Sequence, residues 1–415
     1  MRRTWTSMIV AAALIAPTAA PAAGLEPNQN WTALTEALKA AGERISTQLP
    51  QGLTQQDLSD MDLMKLGGLM SGYLMMAQGD VDHPSFVPRL SLFENYLVPN
   101  TDTRYLGTVI DGRGVYRLRG ERGTVPLIDL AVRSPYVLDI HNVTVTYQDY
   151  DFDSLKLDRD GRFDVTLSAE RPKGYTGDWW YLDPRAASLS LRIVSDDWGK
   201  QVDPRVTIQR IDVPARKPRP TAEEIYRRIA LIPAYMEIAA GVWLKHAEGL
   251  EKAGWVNKIQ ILSEVPGRLT GQEYYETIYD FAPDEALIVE TSVPKTCRYW
   301  SILLADMLGG SLDWSNNQAS LNRHSARLDS DGKFRAVLAH VDPGVPNWLD
   351  TAGHAKGVIQ GRWTFCDSVP VPNVRKIKLT DLRTYLPPDT PRVSPSEREV
   401  SLRLRREAEQ LRRQW

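Results

Sequence analysis

One internal duplication constrains this chain more than any other feature, because a missed repeat misassigns the whole fold. The run Leu157 to Leu167 (LDRDGRFDVTL) is matched by Leu328 to Leu338 (LDSDGKFRAVL). Each copy reads as a strand end, an Asp-Gly turn and a returning strand. A Trp-bearing loop follows both copies, Gly177 to Leu182 in one and Val345 to Asp350 in the other, and a further β run follows each loop, Ser188 to Val194 and Gly357 to Trp363. The same offset lays Val115 to Arg119 over Ala286 to Glu290. The economical expectation is two tandem β-sandwich modules of related plan. Chance likeness of generic hairpins stays open as the alternative. An EF-hand reading of the Asp-x-Asp-Gly pieces fails, since neither Asp158 nor Asp329 is followed by the further oxygen ligands and the Glu such a loop needs.

Around the repeat the texture changes in blocks. Residues 31 to 48 and 54 to 77 carry apolar positions at helical spacing, among them Trp31, Leu34, Leu38, Ile45, Leu58, Leu66 and Tyr73. Met61, Met64, Met70, Met75 and Met76 read as a packing face. From Tyr105, short Val/Ile/Tyr/Thr runs separated by Gly, Asp and Pro, such as Gly114 to Gly120 and Val143 to Tyr147, read as antiparallel strands. The basic, Pro-rich joint Pro214 to Pro220 reads as a linker. Thr221 and Glu224 fit a capping box opening one helix towards Lys245, β texture resumes after Pro266, and Ser394 with Glu397 opens an Arg-rich helix to Trp415. That last helix is expected to dock through Val400, Leu404 and Leu411. The fold expected is therefore mainly β with helical additions, in two jelly-roll-like sandwiches. The divisions are 1–23 signal peptide, 25–100 helical segment, 101–213 first sandwich, 214–256 linker and helix, 257–390 second sandwich, and 391–415 C-terminal helix.

Arg2 and Arg3, the apolar run Met8 to Ile15 and Ala20-Pro21-Ala22 make an export signal with cleavage near Ala22 or Ala23. Pro17 breaks the apolar run well short of the ~20 residues a membrane span needs. A periplasmic or secreted protein is expected, with no stable membrane insertion once the signal is removed. Lys and Arg number 50 against 52 Asp and Glu, and losing Arg2 and Arg3 leaves a net charge of about -4. A nucleic-acid partner, which normally needs a basic excess, is not expected. In an oxidising compartment Cys297 and Cys366 either bond to each other or remain two separate buried thiols.

Unusual polar and aromatic residues concentrate between Leu312 and Trp363, including Asp313, Trp314, Asn322, His324, Arg327 and His340, the loop Asp342 to His354, and Arg362. Pro343, Gly344, Pro346 and Gly353 stiffen or turn that loop, as a pre-organised site or a structural corner requires. The segment Asp342 to Thr351, Asp-Pro-Gly-Val-Pro-Asn-Trp-Leu-Asp-Thr, with Arg-Trp after it, resembles the C-terminal module of a large bacterial family classed as a domain of unknown function, over about Tyr299 to Asp367. The resemblance implies tandem jelly-roll-type β domains with added helices. It implies no established reaction.

Three uses of this stretch compete. In the first, Trp348 and Trp314 offer flat faces to a saccharide-like or aromatic small molecule, and Asn347, Asn322, Arg327 and Arg362 supply hydrogen bonds. If a glycosidic bond is cut, Asp350 and Asp313 are the acid and base candidates, with His354 as a further acid-base group, because such chemistry needs a carboxyl pair at a defined separation. In the second, His324, His340 and His354 join Asp350 or Asp342 around a metal, although their spacing lacks a tight metal motif. In the third, the loop is structural, in a non-catalytic envelope or interaction protein. The first is the preferred reading, with no metal or other cofactor assigned. His141 and His246 are taken as ordinary packed or surface residues. No nucleophile elbow, Walker loop, dinucleotide fingerprint or His-Glu-x-x-His occurs.

Overall fold

The computed structural model describes residues 29–49, 53–135, 145–262 and 268–412. The export signal, His141 and Pro266 lie outside the described residues. Among the described residues, nine strands form the first module: β1 (Val87–Arg89), β2 (Thr103–Val109), β3 (Tyr116–Glu121), β4 (Leu127–Arg133), β5 (Thr146–Asp151), β6 (Arg162–Ser168), β7 (Asp178–Tyr181), β8 (Ser188–Val194) and β9 (Arg205–Arg210). Nine form the second: β10 (Gln260–Leu262), β11 (Gln272–Asp280), β12 (Glu285–Ser292), β13 (Cys297–Ala305), β14 (Ser320–Asn322), β15 (Lys333–Ala339), β16 (Trp348–Asp350), β17 (Lys356–Cys366) and β18 (Asn373–Lys378).

The two modules share one topology. The first stacks a β1-β2-β8-β4-β5 sheet on a β7-β6-β3-β9 sheet, and adding nine to each strand number reproduces the second module's β10-β11-β17-β13-β14 and β16-β15-β12-β18 sheets. Even the parallel pairing of β6 with β7 recurs as β15 with β16. The matched hairpins enter β6 and β15 through turns whose Gly161 and Gly332 sit at φ 74° and 77°, a left-handed conformation that glycine adopts freely. Each sandwich closes on its own core, Leu118, Phe152, Val165 and Leu191 in the first and Leu287, Trp300, Phe334 and Ile359 in the second. Alternation along the strands explains this: one face of each strand is apolar and meets the facing sheet about 10 Å away. Tyr275 and Tyr279 lie across the neighbouring strand, over Gly361 and Gly357. A Cβ on Gly361 would fall 1.9 Å from the Tyr275 ring, and one on Gly357 would fall 2.5 Å from the Tyr279 hydroxyl.

The outer face of the β11-β17-β13 sheet is divided. Its apolar half, Ile278, Leu303, Ala305 and Val358, is covered by Trp243, Ala247 and Leu250. Its polar half, Tyr274, Tyr299, Arg362 and Thr364, turns towards the first module, where Leu127, Val194, Leu269 and Tyr299 share a small apolar cluster. Asp102 lies in this seam and accepts from Tyr299 Oη (2.6 Å), Trp198 Nε1 (2.9 Å) and Asn322 Nδ2 (3.0 Å).

Helices α1 (Gln29–Ser46) and α2 (Gln55–Gly72) pack with a long central helix, burying Ile45, Met61, Met64, Met236 and Leu244. The expected single helix from Thr221 is instead two, α3 (Ala222–Ile229) and α4 (Ile232–Lys252), because Pro233 in the first turn of α4 cannot continue the preceding helix. Trp31, counted among the apolar positions of α1, is exposed.

After the short α5 (Leu382–Tyr385), helix α6 (Pro395–Arg412) opens with the Ser394/Glu397 capping box. It docks by the opposite face from the one expected: Val400, Leu404 and Leu411 are exposed, while Arg398 and Arg412 are buried. Arg398, Arg405 and Arg412 recur every seventh residue, so they form one stripe along the helix. That stripe meets carbonyls, carboxylates and a hydroxyl: Arg398 reaches Asp342 and Val345 O, Arg405 reaches Trp314 O and Ser320 Oγ, and Arg412 reaches Asp102 O.

Cys297 and Cys366 stand opposite one another on β13 and β17 and form a disulfide across 69 residues. Replacing both with Ser is expected to lower unfolding free energy by about 2–4 kcal/mol, read from a urea titration.

Candidate functional site

The signature loop is a clasp. Asn347 is saturated: its Oδ1 accepts Arg327 N (2.9 Å) and its Nδ2 donates to Arg327 O (2.6 Å) and Arg335 O (2.9 Å). Trp348 is 6% exposed, donates from Nε1 to Ala339 O (3.0 Å), and is covered by the Arg398 guanidinium 5.2 Å from its ring centre. Gln318 knits the loop from below, donating to Pro346 O and Trp348 O and accepting from Arg398 Nη1 at 2.8 Å. Arg398 also pairs with Asp342 at 2.9 Å. The hollow beside Asn347, lined by Arg327, Val345 and Pro346, has about 10 Å³ open to water. That is room for about one water molecule, not a sugar ring.

Several expected binding groups are therefore not available at this loop. Trp348 and Trp314 are both buried, Trp348 under the Arg398 guanidinium, and Arg405 donates to the Trp314 carbonyl. Asn322 is buried in the seam between Asp102 and Asp196 O. Arg362 is 2% exposed on the outer sheet face, donating to Gln360. Arg327 is exposed and contributes its backbone to Asn347. Asp313 organises its own turn by accepting from Ser315 N and Asn316 N (3.1 Å each) and from Asn316 Nδ2 (2.6 Å). Of the acid candidates, Asp350 interacts with Asp342, Arg398 and His340, and Asp313 interacts with Arg405. The three histidines also separate. His324 lies 3.4 Å from Asp197, and His340 hydrogen-bonds Thr351 Oγ1 (2.9 Å) and stacks on Phe281.

Past the clasp, the loop opens onto one end of the second sandwich, and here Asp350 and His354 acquire partners. Asp350 ends β16 and accepts from Ala352 N at 2.8 Å. Ala352 is held at φ 49° and Gly353 at φ 88°, an uncommon pair of left-handed residues that turns the chain to present His354. Burial holds the Asp350 carboxyl above the usual carboxylate range, against Ala352 N, Arg398 and His340 and with the help of Asp342. Asp306, just past β13, accepts from Leu308 N and Gly310 N at 2.8 Å each. Its burial, aided by Asp60, outweighs those amides and His354 and pushes its carboxyl up to about 6. The Tyr279 hydroxyl is buried, has no hydrogen-bond partner, and is raised first by burial and then by the charges of Asp306 and Asp350. From outside, Asp57 and Asp60 of α2 bring carboxylates up to His354.

This end of the second sandwich thus gathers hydrogen-bond acceptors, one imidazole and one buried phenol. Sequence reasoning named Asp350 and His354 there. It missed Tyr279, Asp306, Asp57 and Asp60, whose convergence comes from tertiary packing. Only Asp306 carried a local hint, since Asp before Gly309-Gly310 marks a tight turn.

No helix of the described residues is long and apolar enough to cross a membrane. No curated protein matches the chain. An uncharacterised protein from Burkholderia cenocepacia has a similar solved structure, with a TM-score of 0.79 and 25% identity over 85% of this chain and 98% of that one. A Vibrio parahaemolyticus protein aligns at a TM-score of 0.43 and 12% identity, covering 84% of this chain and all of that one. Residues 281–359, from just after β11 into β17, match the family model described as Protein of unknown function (DUF1214).

Proposed function

We propose that the protein is exported and binds a small, hydroxyl-rich, saccharide-like ligand at the mouth of the second sandwich, with the signature loop forming the wall of the site. The observation that carries this reading is that Asp306 and Asp350 both act on the buried, unpartnered hydroxyl of Tyr279, while His354 acts on Asp306. Carboxylates accept from sugar hydroxyls, and a phenol can donate or accept. The Cys297–Cys366 disulfide supports export, because such bonds persist in oxidising compartments.

Asp350→Asn is expected to fold like the wild type and to bind about 10- to 100-fold more weakly to any sugar captured from a panel of neutral and acidic oligosaccharides, since it removes a charge-assisted acceptor. Calorimetric titration checks this, and unchanged affinity contradicts the reading. A second reading, a non-catalytic envelope or interaction protein, is favoured by the saturation of Asn347, Trp348 and Arg398. It predicts that no member of the panel binds and that substitutions in the loop act on stability alone.

A further inference from the structure

We propose that Asp57, Asp60 and His354 bind a divalent transition-metal ion, zinc or manganese by their chemistry, and that this ion ties α2 to the mouth of the second sandwich. The donor atoms of the three side chains lie within 4.8 Å of one another, and all three residues are half-buried. Donors at about 2.0–2.2 Å from a tetrahedral ion stand roughly 3.3–3.6 Å apart, so closing the site takes about 1 Å of side-chain movement. Asp57 and Asp60 are one turn apart on α2, which sets their carboxylates on one face. The capping box fixes Asp57, whose Oδ2 accepts Thr54 N and Thr54 Oγ1 at 2.7 Å each. The third donor comes from another part of the fold, on the Ala352-Gly353 turn.

Carboxylate and imidazole together suit ions of the zinc and manganese class better than thiolate-seeking ones. Three protein donors also leave coordination positions for water or a ligand. An independent observation points to the same place. The Tyr279 hydroxyl, in a residue with no exposed surface, has no hydrogen-bond partner and feels the charge of Asp306, the carboxylate that also interacts with His354 and Asp60. Water held on an ion beside Asp306 gives that hydroxyl a neighbour of matching polarity. The site goes beyond the saccharide reading and does not depend on it, since Asp350 is not among the donors.

The test uses the full mature chain, stripped with a chelator, dialysed, and titrated with Zn²⁺ and separately with Mn²⁺. One ion per chain is expected, with Tm raised by roughly 3–5 °C at a hundredfold excess over Kd. His354→Ala and Asp60→Asn are each expected to abolish stoichiometric binding and the Tm rise while leaving the circular dichroism of the metal-free protein unchanged. In the wild type, Mn²⁺ is expected to broaden the His354 ring resonances and to spare those of His246 and His324, a readout that stands even if a variant fails to fold. No stoichiometric ion on the wild type, broadening centred on another histidine, or full binding by both variants overturns the proposal. Asp350→Asn separates this site from the sugar site, because it is expected to keep the ion.

Discussion

Trp348→Ala is expected to lower unfolding free energy by about 3–5 kcal/mol, the range for removing a buried aromatic residue. The indole fills the space between the second sandwich and the C-terminal segment with Val337, Ala339, Leu382 and Leu386, its Nε1 satisfies the Ala339 carbonyl, and its face carries Arg398. Truncation leaves a cavity and also exposes one side of a guanidinium that holds Asp342, Gln318 and Val345 O. Loosening of α6 is therefore expected along with the global loss. Denaturant unfolding reads the first, and amide hydrogen exchange across 395–412 reads the second. A loss below about 1 kcal/mol, the range of surface substitutions, contradicts the clasp.

Asp102→Ala is expected to cost about 3–5 kcal/mol for a different reason. Its carboxylate is the common acceptor for Trp198, Asn322 and Tyr299, all buried where the two sandwiches meet. Removing it leaves Trp198 Nε1 without its acceptor, takes one of two acceptors from Asn322 Nδ2 and from Tyr299 Oη, and leaves the nearby Arg405 and Arg412 without that negative charge. The same residue gives the fold a pH dependence. Burial holds the Asp102 carboxyl above its ordinary value, despite the hydrogen bonds from Tyr299 and Asn322 and the charges of Arg412 and Arg405. A raised acid favours the folded state most below its unfolded value of about 3.9, and that contribution is lost as pH rises through the folded value. The stability difference between wild type and Asp102→Asn should therefore move against the wild type as pH is raised from 4. A difference that is flat in pH contradicts the assignment.

The fold was largely written in local pattern. The 157–167 and 328–338 hairpins, the Trp-bearing loops and the strands after them recur as the same strands of two sandwiches with one topology. Such features depend on period-two alternation and turn chemistry, which act over a few residues. The docking face of α6 was also present in the sequence, as arginines at every seventh position, but hydrophobicity alone selected Val400, Leu404 and Leu411. The helix lies on loop carbonyls, carboxylates and a hydroxyl rather than on an apolar sheet, so the guanidinium stripe was the correct one.

The site was less legible. Trp348 and Asn347 have the residue types of a sugar cleft, and the same types suit a corner that must satisfy buried carbonyls. Only the distances to Ala339 O, Arg327 and Arg335 separate the two uses. Asp350 and His354 could be named because they share a loop. Tyr279, Asp306 and the α2 carboxylates could not, since nothing in their local sequence records that the ends of β11 and β13 and helix α2 meet.

Whether a ligand enters beside Asp306, Asp350 and His354 is decided by following backbone amide resonances during titration with the tightest sugar of the panel. Shifts are expected only at the ends of β11 and β13 and in residues 350–356, with α6 and the Trp348 indole unmoved. Shifts centred on the seam around Asp102 and Arg362, or on the outer face of the first module, would contradict that expectation.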